Sequence, residues 1–190
     1  MAISKVEHIE ASSLLEKLSS VIDLNKDLPM NVFIGSEFLF WFFERPLLCF
    51  HEIFAGLILE NFSSYKSNLF IKFSGSEHSL NSCYSFDGCD VDRDVLWLNN
   101  KFESFFDGTV DYPIILCDSA CNWIAFESAH EEFGVIAVKA SAIKDKFYAY
   151  LNSNFISMNE MTELASSSSR EGVMARALIS SYHNKQVRNK

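Results

Sequence analysis

The stretch WIAFESAHEEFGVIAV, residues 123–138, consists of two apolar runs on either side of a short charged centre. In the first run, Trp123, Ala125 and Glu127 alternate with two apolar residues, which is the two-residue period of a β-strand. The second run, FGVIAV, follows after only a few polar residues. Two such runs with a short polar connector predict a β-hairpin over 122–138.

The charged centre of this stretch contains His130 followed by Glu131, the first two residues of a zinc-hydrolase motif. That motif needs a second histidine four residues later on the same helical face, but position 134 is glycine and the flanks are strands. His51 is also followed by a glutamate, and its fourth neighbour is Ala55, which cannot bind a metal. We therefore expect neither histidine to bind a metal and His130 to be dispensable.

Hydrophobic periodicity predicts the elements around the hairpin. Runs bounded by glycine or opened by proline indicate two further strands, so that the expected antiparallel sheet comprises 69–74, 113–117, 122–127 and 133–138. Helical spacing predicts helices at 4–24, 36–45, 47–61, 94–106, 140–151 and 170–183. The expected signals at their ends are a cap at Ser36, a break at Pro46, and a capping box formed by Ser157 and Glu160.

The composition is that of a folded chain with a large core. Of 190 residues, 48% are hydrophobic and 18 are phenylalanine, whereas glycine (7) and proline (3) are scarce. Internal repeats and linker-like segments are not found in the sequence. We expect one α+β domain, 1–190, whose N-terminal and C-terminal helices cover at least one face of the sheet.

The most apolar stretch, FLFWFFERPLLCFHEIFAGLIL, is interrupted by Glu44, Arg45, His51 and Glu52. Its uncharged parts are too short to span a membrane, and the stretch is predicted to be a core helix. The N-terminal sequence lacks the features of a signal peptide. Five cysteines at irregular spacing are typical of reduced thiols. We therefore expect a cytoplasmic protein without a membrane partner.

Acidic residues are distributed unevenly along the chain. Residues 1–138 contain 21 acidic and 8 basic residues, whereas 139–190 contain 4 and 8. Phosphate groups are bound by Lys and Arg, so the acidic part disfavours nucleic acid and favours a basic protein partner. The alternative interpretation is a solvated acidic face that maintains solubility. The candidate partner-binding residues, expected on an exposed face, are Asp87, Asp90, Asp92, Asp94, Asp107, Asp111 and Asp118.

Catalytic and metal-binding motifs are incomplete. Asp90, Asp92 and Asp94 have the spacing of the first calcium-loop ligands, but Val95 replaces the required glycine and Lys101 the required glutamate. The cysteine pairs lack structural-zinc spacing, and nucleophile elbows and phosphate-binding loops are not found in the sequence. We expect no catalytic residue, metal or cofactor. Two alternatives stay open: a small hydrolase or transferase using a divalent metal, and an adaptor subunit of a larger assembly.

The segment CNWIAFESAHEEFGVIAV, together with small size, acidity and N-terminal helices, resembles bacterial immunity proteins of polymorphic and contact-dependent growth-inhibition toxin systems. The resemblance covers about 18 residues of the chain and implies no functional residue by position. It implies that the protein binds the C-terminal domain of a cognate toxin and blocks it without chemistry of its own. Toxic nucleases tend to have basic active-site surfaces, which an acidic partner matches.

Overall fold

Strands and helices are interspersed along the chain of the computed structural model. The model describes residues 3–76, 82–105 and 113–183, without the side chains of 101–105. The described strands are β1 (Ile3–Lys5), β2 (Phe38–Glu44), β3 (Leu69–Lys72), β4 (Cys83–Phe86), β5 (Ile114–Asp118), β6 (Trp123–Glu127), β7 (Phe133–Lys139) and β8 (Ile156–Ser157). The described α-helices are α1 (His8–Ser19), α2 (His51–Tyr65), α3 (Val91–Phe105), α4 (Asp145–Asn154), α5 (Met158–Leu164) and α6 (Arg170–Tyr182).

The eight strands form one antiparallel sheet in the order β1-β4-β3-β5-β6-β7-β2-β8. The four strands predicted from the sequence correspond to β3, β5, β6 and β7, which are adjacent at its centre. In the predicted hairpin, Trp123 lies opposite Val138 and Glu127 opposite Gly134. The α+β fold and the hairpin are therefore confirmed, although the sheet has twice the expected number of strands.

Residues 36–45 do not form the predicted helix, because 38–44 is strand β2. All seven residues of β2 pair with β7, and two also pair with β8. Trp41 and Phe43 face one hydrophobic core, whereas Phe40 and Phe42 face the other. A strand buried on both faces is a continuous apolar run, which periodicity alone does not distinguish from a buried helix. The expected cap at Ser36 is wrong for the same reason.

Helices cover both faces of the sheet, in agreement with the expectation that they cover at least one. Helices α2, α3 and α4 pack on one face and α1, α5 and α6 on the other, so that the fold has three layers. The helix α3 contributes Val91, Val95 and Leu98 to the first core. Its first turn therefore lies against the sheet, close to the edge formed by β4 and β1.

Several predicted helix boundaries are corrected by the structure. The helix expected at 4–24 is shorter, since Ile3–Lys5 is an edge strand paired with β4 and the helix spans only His8–Ser19. The helices expected from 47 and 140 begin after 3-10 turns, at His51 and Asp145. No helix in the described ranges combines the length and the apolar character needed to cross a lipid bilayer.

The two C-terminal helices begin where the sequence predicts. The Ser157 side chain accepts a hydrogen bond from the backbone N–H of Glu160 at 3.3 Å, and the Ser157 N–H donates to Glu160 Oε2 at 2.8 Å. This reciprocal pair is the predicted capping box. The last helix spans Arg170–Tyr182, within one residue of the expected 170–183.

Candidate functional site

Three of the candidate aspartates, Asp87, Asp90 and Asp92, lie exposed on the short segment that connects β4 to α3 and on the first turn of α3. The backbone N–H of Cys89 donates to Asp87 Oδ1 at 2.9 Å, which lowers the pKa of that carboxyl. Carboxylates at a helix N-terminus also interact favourably with the helix dipole. Asp90 and Asp92 therefore favour the start of α3, and Asp87 holds the segment before it, in addition to their charge at the surface.

The exposed position expected for all seven aspartates is wrong for Asp94 and Asp118. Asp94 is 2% exposed because it lies one turn after Val91 and one turn before Leu98, on the stripe of α3 that faces the sheet. Asp118, the last residue of β5, has no exposed surface. Asp107 and Asp111 lie outside the described residues.

The Asp118 carboxylate stabilises the turn between β5 and β6. Its oxygens accept hydrogen bonds from the Ser67 hydroxyl at 3.1 Å, from the side-chain amide of Asn122 at 2.8 Å, and from the backbone N–H of Asn122 at 2.5 Å. The backbone N–H of Trp123 is also within 3.4 Å. The carboxylate oxygens of Asp118 accept hydrogen bonds from groups inside the protein. Asp118 therefore holds the turn in place and does not belong to the candidate partner-binding surface.

We define the acidic cluster as Asp87, Asp90, Asp92 and Asp94. The carboxylate of Asp94 accepts a hydrogen bond from the backbone N–H of Ile3, but its Oδ2 atom is buried without a hydrogen-bond partner among the described residues. Burial raises the pKa of Asp94, and the neighbouring charges of Asp87 and Asp90 raise it further. The cluster thus combines exposed carboxylates with one that is buried and incompletely satisfied.

His130 lies exposed in the hairpin turn between β6 and β7. Its backbone N–H donates to the Ser128 hydroxyl at 3.1 Å. The same turn is held by Arg45, whose Nη1 donates to the carbonyl oxygens of Ser128 at 2.7 Å and Glu131 at 3.2 Å. The turn is therefore held by the Ser128 hydroxyl and by Arg45, while the His130 imidazole is at the surface.

We expect His130→Ala to change the free energy of unfolding by no more than about 0.5 kcal/mol, as is usual for exposed positions. Denaturant unfolding of the two proteins checks this. Partner binding is also expected to be unchanged, since the turn lies outside the acidic cluster. A metal-dependent activity that disappears in His130→Ala would contradict this expectation.

Glu127, at the end of β6, is a buried carboxylate that the motif search did not single out. It is 3% exposed, and its Oε2 accepts a hydrogen bond from the backbone N–H of Leu47 at 2.8 Å. Its Oε1 has no hydrogen-bond partner among the described residues, and Arg45 Nε lies 4.0 Å away. The sequence pattern that could have identified Glu127 as buried is its alternation with Trp123 and Ala125, because this alternation places the three side chains on the same face of the strand.

Stability is expected to decrease with rising pH because of Glu127. Burial raises the pKa of its carboxyl from 4.5 to about 7, against smaller opposing effects of the Leu47 N–H and Arg45. Between these values the folded protein keeps a proton that the unfolded chain has released, so the free energy of unfolding falls as pH rises through this window. We expect a loss of about 2 kcal/mol between roughly pH 5 and pH 8.

The matched variant for this pH dependence is Glu127→Gln. It keeps an oxygen that can accept from Leu47 but removes the titrating group, so that most of the decrease should disappear. Urea unfolding of both proteins at a series of pH values measures the difference. An equal decrease in the glutamine variant would show that other groups cause it.

Clusters that could bind a metal are not present in the described ranges 3–76, 82–105 and 113–183. No group of three or more His, Cys, Asp or Glu side chains there is arranged to hold a metal ion. Asp90, Asp92 and Asp94 lie at the start of a helix and not in a loop that wraps around an ion. The described cysteines are free thiols, of which Cys83, Cys117 and Cys121 are buried and Cys49 and Cys89 are exposed.

Three surface depressions have volumes of about 510, 450 and 230 Å³. The first lies between α1 and residues 22–25, the second beside β2 and the start of α5, and the third between β2 and α2. None of the three is lined by a candidate aspartate or by His130. The acidic cluster is therefore a surface feature separate from these depressions.

Comparison of the chain with models of protein families, with curated proteins and with solved structures finds no match.

Proposed function

We propose that this chain is a non-catalytic immunity protein that binds and neutralises a cognate bacterial toxin domain, a basic nuclease, through the acidic cluster. The observation that carries the proposal is the position of Asp87, Asp90 and Asp92, which are exposed within six residues of one another at one edge of the sheet. Arg93 is the only basic residue between them and Asp94. The charge of this surface is therefore largely uncompensated within that segment.

Charge complementarity supports the choice of partner. A nuclease must attract the phosphates of its substrate, so Lys and Arg side chains surround its active site. Exposed carboxylates on a rigid helix start can occupy such a surface and accelerate the encounter with it. Occupation of that surface excludes the nucleic acid, and inhibition then needs no catalytic group in this chain.

The proposal is tested with the toxin domain encoded by the neighbouring reading frame. Co-expression of the wild-type chain is expected to restore growth of cells that produce this domain, and the two purified proteins are expected to form a complex in which nuclease activity is lost. Growth arrest that persists although both proteins are soluble, with no complex on mixing, would refute the proposal.

A matched pair of triple variants shows whether the acidic cluster is the surface involved. Asp87→Asn/Asp90→Asn/Asp92→Asn removes the three exposed carboxylates, and the control Glu44→Gln/Asp145→Asn/Glu163→Gln removes three exposed carboxylates that lie on other elements, outside the acidic cluster. Both variants change the net charge equally. Protection that is weakened only by the first variant supports the proposed surface, whereas equal weakening indicates that net charge alone matters.

A further inference from the structure

The buried carboxylate of Asp94 is the least satisfied part of the acidic cluster. Its Oδ2 atom has no hydrogen-bond partner among the described residues, although the side chain is 2% exposed. A buried acceptor left unpaired destabilises the folded protein, more so when it is charged. The two carboxylates that act on it, Asp87 and Asp90, add repulsion, and Arg93 offsets this only weakly. Folding of the free chain does not account for this arrangement.

The described part of the cluster does not bring three carboxylates together around a single metal ion. Ions such as Mg²⁺ and Ca²⁺ draw their oxygen ligands to within about 2.0–2.6 Å. Among the described residues no three carboxylates are close enough to act as one ligand set. A cation that reaches Asp94 and also contacts Asp87 and Asp90 is better matched by a larger group that spreads its charge over several N–H donors. The guanidinium of arginine has five such donors in a planar fork.

We propose that Asp94 is the acceptor for an arginine side chain of the basic partner, with Asp87 and Asp90 lining its approach. This inference rests on the proposed function, because it names the partner group that the acidic cluster binds. The guanidinium donates to Asp94 Oδ2 and replaces the missing hydrogen bond, while the exposed carboxylates neutralise the remaining charge. Asp94 is then destabilising in the free protein and becomes satisfied in the complex.

Because Asp94 is buried, access to it requires a local opening, for which the adjacent edge strand β1 is suited. The edge strand β1 contacts Asp94 through its Ile3 N–H, which donates to the carboxylate. This strand has three residues and pairs with β4 alone. Short edge strands open at low free-energy cost compared with central ones. A partner arginine can therefore reach the carboxylate without disturbing β5, β6 or β7.

The test uses acetyl-triarginine amide as the probe and the intact chain, at about 0.05 M salt where screening is weak. Binding is measured by isothermal titration calorimetry and by the carboxyl ¹³C resonances of labelled protein. The variant is Asp94→Asn, and the matched control is Asp92→Asn, which removes an exposed carboxylate from the same helix turn. We expect the dissociation constant to rise about tenfold in Asp94→Asn, as for loss of a hydrogen bond to a charged group, and about twofold in Asp92→Asn.

The remaining measurements distinguish an arginine site from a metal-ion site and from an effect of overall charge. Thermal unfolding of Asp94→Asn is expected at or above the wild-type midpoint, which shows that weaker binding does not come from misfolding. Equal weakening by both variants would overturn the inference, because the cluster would then act only through its overall charge. Mg²⁺ alone binding to the wild type and not to Asp94→Asn would also overturn it, in favour of an ion site.

The outcome for Asp94 is distinguishable from that of the proposed function. If Asp94→Asn binds the toxin domain as tightly as the wild type, the arginine contact is wrong while the immunity function stands. If the wild-type chain does not bind the toxin domain, but the carboxyl ¹³C resonance of Asp94 shifts when the arginine peptide is added, the proposed function fails and the arginine site remains.

Discussion

Replacing Gly134 by alanine is expected to lower the free energy of unfolding by about 3 kcal/mol, at the upper end of the usual cost of overpacking a core. Gly134 lies in β7 directly opposite Phe43 of β2, in a part of the sheet that is buried. A Cβ atom added at Gly134 would lie 2.0 Å from Cζ and 2.3 Å from Cε2 of the Phe43 ring. The ring is 5% exposed, packs against Phe155 and borders the depression between β2 and α2, so it must shift from its packed position to admit the Cβ atom.

Thermal and urea unfolding measure this effect, and two variants serve as controls. Gly75→Ala places its Cβ at an ordinary contact distance of 3.4 Å from Pro113, so we expect a change of less than about 1 kcal/mol. Phe43→Leu should partly relieve the clash, so that the double variant with Gly134→Ala is more stable than the sum of the single effects predicts. Additive effects, or a Gly134→Ala protein as stable as the wild type, would contradict the packing described for β2 and β7.

The second large effect is expected on association with the toxin domain. Asp87→Asn/Asp90→Asn/Asp92→Asn should slow association on the order of 30-fold at low salt, because long-range attraction between opposite charges accelerates encounter by 10- to 1,000-fold. The free energy of unfolding should fall only slightly, through loss of the favourable charges at the start of α3. Stopped-flow or surface-based kinetics gives both rate constants. If the triple variant associated as fast as the wild type, these carboxylates would contribute to solubility and not to capture of the partner.

The central part of the fold follows from local pattern, whereas its edges do not. The hairpin of β6 and β7 is predicted because two apolar runs flank a short polar turn, and the register of a hairpin is set by that turn. Strand β2 is not predicted, since burial on both faces removes the alternation that distinguishes a strand from a helix. The edge strands β1 and β8, with three and two residues, are too short to carry any period.

The candidate site is predicted in part for a similar reason. The sequence indicates that carboxylates are concentrated between Asp87 and Asp118, but burial depends on which face of α3 meets the sheet and on where β5 ends. Asp94 and Asp92 are two residues apart, yet the helical turn places one towards the core and the other in water. Glu127 is likewise buried by tertiary packing, because the segment after β2 brings the Leu47 N–H to its carboxylate.

The role of the acidic cluster in capturing a basic partner is tested most directly by the salt dependence of the wild-type association rate with the toxin domain. Raising the ionic strength from about 0.05 M to 0.5 M shortens the screening length from about 14 Å to about 4 Å. The wild type and the control triple variant at Glu44, Asp145 and Glu163 should then both slow steeply, while the triple variant of the cluster changes little. A wild-type rate that is indifferent to salt would contradict the role of the acidic cluster.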